Sequence, residues 1–160
     1  MSRFISFAFV LAAACTNEPT TGPVAATPLA GKLGTLDYRA KSARAKIVTM
    51  NGADRANVEI FPIDYPCGAL ADSSPLGFPT PAIFVKGAPW RAGTVREHTD
   101  VDSDMTVGIA LDDGIADVDR TRIEIIEAPL EPGAIGKIRL RAFTKGGDEI
   151  AGEITVHVCE

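Results

Sequence analysis

The stretch from Glu97 to Asp119 gathers the side chains best suited to holding a cation. Within it, Asp100-Val101-Asp102-Ser103-Asp104 has the alternate-aspartate spacing that lets one loop turn three carboxylates onto a hard ion such as Ca²⁺. Met105 stands where an EF-hand has glycine, and Leu111 where it has a bidentate acid. The segment therefore reads either as a looser calcium loop that recruits Asp112 or Asp113, or as solvated acidic loops flanking a strand. His98 and His157 are the only histidines, and neither has zinc-ligand spacing to a cysteine pair. No nucleophile-elbow sequence, phosphate loop or dinucleotide fingerprint accompanies them, so the chain reads as a non-catalytic protein, with a hydrolase as the remote alternative.

Two basic stripes and one aromatic are the remaining candidates. Arg39, Lys41, Arg44 and Lys46 form the first stripe, and Lys137, Arg139 and Arg141 the second. Alternate charges on a strand mark the wet face of a half-buried sheet, or a face for an anionic polysaccharide or lipid head group. Trp90, the only tryptophan, is followed by Arg91 in a loop-like context. An exposed pair of this kind anchors a sugar or a partner protein, and a buried one plugs the end of a core. Tyr38 and Tyr65 carry the same ambiguity, with Tyr65-Pro66-Cys67 suited to fixing a turn.

Short alternating runs separated by turn residues dominate from Leu33 onward, the pattern of an all-β domain. Thr106 to Leu111 puts Val107, Ile109 and Leu111 on one face. Ile135 to Phe143 sets Ile138, Leu140 and Ala142 against Lys137, Arg139 and Arg141. Lys145-Gly146-Gly147-Asp148 is a hairpin signal, after which Glu149 to Val158 returns with Ile154, Val156 and Val158 inward and His157 outward. Earlier strands are expected at 34–40, 45–50, 58–63, 83–85, 93–97 and 122–128, with Asn51-Gly52 as a turn. The run 40–50 also fits a helical face, but β-branched Ile47, Val48 and Thr49 and the lack of a cap favour a strand. An irregular loop is expected from Cys67 to Pro81. The expected fold is a single antiparallel β-sandwich, immunoglobulin-like or a related Greek key, with a small β-barrel as the alternative.

The N-terminus supplies an address. Arg3, an apolar stretch from Phe4 to Val10 and the small residues Ala12-Ala13-Ala14 before Cys15 have the form of a secretory signal, too short to span a bilayer as a mature helix. Leu11-Ala12-Ala13-Ala14-Cys15 resembles the lipobox of bacterial lipoproteins, which implies cleavage before Cys15 and lipidation of its thiol. Thr16, rather than Asp, at the next position implies the outer membrane. Residues 1–14 are then the signal, 15–30 the lipidated cysteine and a Pro/Thr-rich linker, and 31–160 the domain. With Cys15 acylated, Cys67 and Cys159 remain, and an even remainder in an exported chain reads as a disulfide.

A looser resemblance covers residues 31–160. The phrases GTLDYRAKSARAKIV (34–48) and GGDEIAGEITVHVCE (146–160), with Cys67 between them, are similar to small Gram-negative lipoproteins of unassigned function. It implies one anchored β-domain and adds no activity. The formal charge of −5 argues against nucleic acid and against a polybasic membrane patch. The functional expectation is a lipid-anchored envelope protein acting as an interaction or structural accessory module, with an envelope protein or a glycan as partner. The alternative is a small-ligand or glycan binder using Trp90 and Arg91, stabilised by Ca²⁺ at Asp100, Asp102 and Asp104.

Overall fold

The computed structural model describes residues 22–68, 79–99, 105–116 and 118–160, with the backbone alone at His98 and Thr99. Among these residues the chain forms eleven strands and no helix: β1 (Ala30–Leu33), β2 (Leu36–Arg39), β3 (Ser42–Met50), β4 (Ala53–Phe61), β5 (Ala82–Pro89), β6 (Val95–Thr99), β7 (Thr106–Leu111), β8 (Gly114–Ala116), β9 (Val118–Glu127), β10 (Ile135–Thr144) and β11 (Glu149–Cys159). The all-β expectation holds.

The strands pair in the continuous order β6-β9-β10-β11-β3-β4-β5-β7-β8, with β1 added to β11 and β2 to β1. Every pairing of named strands is antiparallel except one. β11 and β3 run parallel, with His157 opposite Arg44, Val158 opposite Ala45 and Cys159 opposite Lys46. The expected all-antiparallel pairing is thus interrupted at that joint, and the result is a curled mixed sheet that forms a half-barrel. Its curl brings β7 against β9, which lie far apart in the pairing order. One apolar cluster fills the concave side. Ile123, Ile125, Ile138, Leu140, Val156 and Val158 from β9 to β11 meet Ala43, Ala45, Val58, Ile60, Ile83, Val85 and Ile109 from the other half. Each fully buried Val, Leu or Ile contributes about 1.5–3 kcal/mol, so this cluster is the main source of stability.

Local sequence explains most of the boundaries. The β10–β11 hairpin has the expected alternation, with Ile138, Leu140 and Ala142 buried and the three cations between them half-exposed. Asn51 and Gly52, both at positive φ, turn β3 into β4 with Met50 opposite Ala53. Residues 42–50 are a strand, as their β-branched residues favour. The strand expected at 34–40 starts only at Leu36, as β2, because Gly34 at φ +60° turns the chain; residues 30–33, outside the expected strands, form β1, and Leu33 faces Leu36 across the β1–β2 hairpin. The loop expected from Cys67 to Pro81 lies mostly outside the described residues.

Residues 22–30, read from composition as linker, belong to the packed body. Val24 and Leu29 are buried. The Glu153 N–H donates to the Thr27 carbonyl at 2.6 Å and the Leu29 N–H to the Glu153 carbonyl at 3.0 Å, so this segment continues β1 along β11. Gly152 makes the approach possible. A Cβ there would lie 2.5 Å from the Thr27 oxygen and 2.6 Å from the Leu29 Cα, and the residue sits at φ +144°.

Tyr38 closes the core beneath β2. Its ring is 1% exposed and its hydroxyl donates to the Ile60 carbonyl at 2.9 Å. Burial pushes the phenol above its ordinary value. In the unfolded chain the phenol ionises near pH 10, while in the fold it stays neutral. The stability it contributes is therefore complete below about pH 10 and is lost as pH rises toward the folded value. Tyr38→Phe is expected to cost about 0.5–1.5 kcal/mol at neutral pH through the lost hydrogen bond. It should also flatten the fall in urea midpoint between about pH 9 and 11. Equal slopes in the two proteins would assign the alkaline loss to other groups.

Candidate functional site

The parallel joint between β3 and β11 sets His157 opposite Arg44 and Cys159 opposite Lys46. Cys159, the last residue of β11, is bonded to Cys67 across a sequence separation of 92, with Cα atoms 5.4 Å apart. This is the pairing expected from the even cysteine remainder. The segment leaving β4 reaches β11 by crossing the start of β3. There Ser42 Oγ donates to the Ile63 carbonyl at 2.7 Å and accepts from the Tyr65 N–H at 3.0 Å.

A small cluster sits on the outer face at this crossing. Phe61 and Tyr65 meet edge to face at 4.8 Å, and the Arg44 guanidinium lies 4.4 Å from the Tyr65 ring centroid and 5.6 Å from that of Phe61. Arg44 Nε also donates to Glu59 Oε2 at 2.7 Å, across the β3–β4 pair. With the Arg44 side chain 20% exposed, the stacked and paired guanidinium acts as a rivet between β3, β4 and the crossing segment. Farther across the same face, Phe84 lies over Gly108, where a Cβ would fall 2.1 Å from the ring.

Two grooves flank the disulfide. One, of about 510 Å³, runs over the outer face of β3, β4 and β5 and is lined by Lys46, Asn57, Glu59, Phe84, Lys86 and Ile115 among others. The second, of about 930 Å³, follows the seam between β3 and β11 and includes Lys41, Asp64, Tyr65, Pro132, Thr155 and His157. Gly68, Cys159 and Glu160 line both. Lys46 is exposed, and Lys86 is exposed with its ammonium 5.5 Å from the Phe84 ring centroid. Neither has a carboxylate partner among the described residues. With Glu59 held by Arg44, the first groove sets Lys46 and Lys86 and the single exposed acid Glu160 beside an aromatic and an exposed isoleucine, a mixed lining in which cations outnumber free acids by one.

The second basic stripe behaves differently. On the outer face of β9 to β11, Arg139 Nε bonds Glu153 at 2.9 Å, Arg141 Nε bonds Glu149 at 2.7 Å and Lys137 lies 3.5 Å from Glu127. Arg122 bonds both Glu97 at 2.6 Å and Glu124 at 2.8 Å. The hydrogen bond to Glu124 is the main cause that holds the Arg122 guanidinium above its ordinary pKa, with Glu97 adding to it. These cations are engaged within a carboxylate ladder, each pair of which contributes up to about 1 kcal/mol.

The other sequence candidates fall in different places. Trp90 is 3% exposed, and its indole N–H donates to the Pro129 carbonyl at 2.7 Å, so it plugs the end of the core where Asp54 accepts its backbone N–H. Arg91 is exposed beside it. His157 faces outward on β11, in the second groove. Cys15 and the aspartates Asp100, Asp102 and Asp104 lie outside the described residues. Among those described, no group of three or more His, Cys, Asp or Glu side chains could hold a metal. Sequence reasoning missed Phe61, Phe84 and Gly108, whose signal was aromatic side chains at outward positions of β4 and β5 and a glycine within β7.

No protein-family model, curated protein or solved structure matches the chain.

Replacing both Cys67 and Cys159 with Ser is expected to lower unfolding stability by roughly 4–5 kcal/mol, the chain-entropy value for a loop of this length. Arg44→Ala should cost about 1–2 kcal/mol through lost ring stacking and pairing, against about 0.2–1 for Lys137→Ala on the half-exposed ladder. Urea melts of the three variants check both. Equal losses for Arg44→Ala and Lys137→Ala would remove the rivet.

Proposed function

We propose that the protein is an exported cell-envelope lipoprotein, anchored through acylated Cys15 to the outer membrane and acting as a non-catalytic interaction or structural accessory module. The observation that carries this reading is the Cys67–Cys159 disulfide. Such bonds persist in oxidising compartments, and this one accounts for two of the three cysteines, leaving Cys15, in its lipobox-like setting, as the remaining thiol. The two halves of the curled sheet, β6-β9-β10-β11 and β3-β4-β5-β7-β8, face one another over one core, which supports describing the domain as sandwich-like.

Within that role, the grooves beside the disulfide are the natural contact surface. Lys46, Lys86 and Phe84 present charge and apolar area on a strand face stiffened by a covalent bond and by the Arg44 rivet. A rigid, pre-organised face loses little entropy on binding. It suits an acidic, partly apolar segment of another envelope protein.

Intact mass spectrometry of protein extracted from its native membrane tests the anchor. The expected mass is that of residues 15–160 plus acyl chains, with two thiols alkylated only after reduction. Cys15→Ala should move the protein out of the membrane fraction. An unlipidated mass, or cysteines 67 and 159 alkylated without reduction, would overturn the proposal.

A further inference from the structure

The path of residues 22–29 determines which side of the domain an N-terminal anchor can reach. The segment lies across the outer face of the β9–β11 ladder before it joins β11. An added Cβ at Gly22 would lie 3.6 Å from the Arg141 guanidinium, and the Val24 N–H donates to Glu124 Oε1 at 3.4 Å. Val24 is 5% exposed and Glu124 8%, so the strap and the ladder cover one another. From Val24 the chain reaches the β11 edge, where Thr27 and Leu29 bond Glu153.

We infer that the outer face of β9, β10 and β11 is the membrane-facing side of the domain, and that the Lys46–Phe84–Lys86 groove points away from the bilayer. This rests on the lipid-anchor reading of Cys15. Six residues separate Cys15 from Gly22, and the seven Cα-to-Cα steps between them reach about 25 Å even when fully extended. A domain of this length has a radius of about 18 Å, so half its girth is about 60 Å. The tether is too short to lead from its exit on the ladder face to the opposite side, and the groove of β3 to β5 stays turned outward.

The chemistry of the ladder face suits that position. Its arginines and lysines are matched by carboxylates, so the overall acidity of the chain is not concentrated there. Val95 and Ile135, 48% and 54% exposed, lie in register with Glu124 and His157, which point outward. The Arg120 and Arg141 guanidinium groups lie 4.9 Å and 5.3 Å from the Phe143 ring centroid. Arginine stems, an aromatic ring and isolated aliphatics beside charged heads are the composition of surfaces that rest at the head-group zone of a bilayer.

Paramagnetic broadening tests this with the acylated chain reconstituted in nanodiscs that carry head-group spin-labelled phospholipid. Amide signals of Val95 and of Arg139 to Arg141 are expected to lose more intensity than those of Lys46 and of Phe84 to Lys86. In Val24→Asp, which sets a carboxylate beside Glu124 and frees the strap, the difference between the faces should shrink while the core signals persist. Equal loss on both faces of the unmutated protein, or greater loss at Lys86, would overturn the orientation. The same measurement on residues 15–160 coupled at Cys15 to a maleimide lipid distinguishes the two proposals. Face-selective loss in that conjugate, from a protein whose native mass shows no acyl chain, would reject the anchor and retain the orientation. Uniform loss in the conjugate would reject the orientation whatever the native mass.

Discussion

The last strand has to serve two partners along one edge, and most of the structure follows from how it does so. β11 pairs with β10 on one side from Phe143–Glu149 to Ile135–His157. On its other side it meets β1 at Ile150 and Ala151 and β3 only at residues 157–159. The changeover falls near Gly152, where any side chain would strike the incoming backbone of Thr27 to Leu29. Three parallel pairs are a slender joint between two halves of a sheet, since parallel pairing is also slightly weaker per residue. The disulfide attaches at Cys159, the final paired residue of that joint. Its stabilisation, roughly 4–5 kcal/mol on the entropic model, is comparable with a large share of the net stability of an ordinary domain.

The same register gives the two outer faces their different electrostatics. On β9 to β11 the strands place Arg139 between Glu124 and Glu153, so the pairing follows from alternation alone. Arg141 faces Arg122 directly, a repulsive placement that the fold relieves by sending Arg122 to Glu97 and Glu124 and Arg141 to Glu149. On β3 to β5, Lys46 faces Asn57 and Lys86 faces Thr106, and neither cross-strand neighbour is an acid. One face is therefore neutralised within itself, and the other keeps charge available to a partner.

The sequence is most legible where one sheet face is wet. In β10 and β11 a strict period of two, with a Gly-Gly turn between, fixes strand, register and burial together. The Asn51-Gly52 hairpin and the cysteine pairing are legible for similarly local reasons. Legibility fails where long-range contacts decide. Ala110 and Gly108 in β7 are buried on the outer side because Phe61, Tyr65, Ala82 and Phe84 form a second, smaller cluster there. Two-sided burial erases alternation as a signal. Residues 22–30 have the composition of a linker, yet the available edge of β11 recruits them. The parallel joint involves strands more than a hundred residues apart, and no local pattern announces it. Trp90 is ambiguous in sequence because the loop setting that suits a binding residue also suits an end plug, and only the Pro129 carbonyl distinguishes them.

The strap and the disulfide also make sense as one mechanical arrangement. Any pull on the chain before Gly22 enters the domain through Val24 and then through the bonds of Thr27, Leu29 and Glu153, and so is delivered to β11. A strand held on one edge by two short partners would be the natural place for the sheet to part. β11 is instead held from Glu149 to His157 by β10 and covalently at its end to Cys67, whose segment is fastened by Tyr65 and Ser42 to β3. Load arriving at the N-terminal edge is thereby shared with the opposite half of the sheet without relying on the three parallel pairs alone.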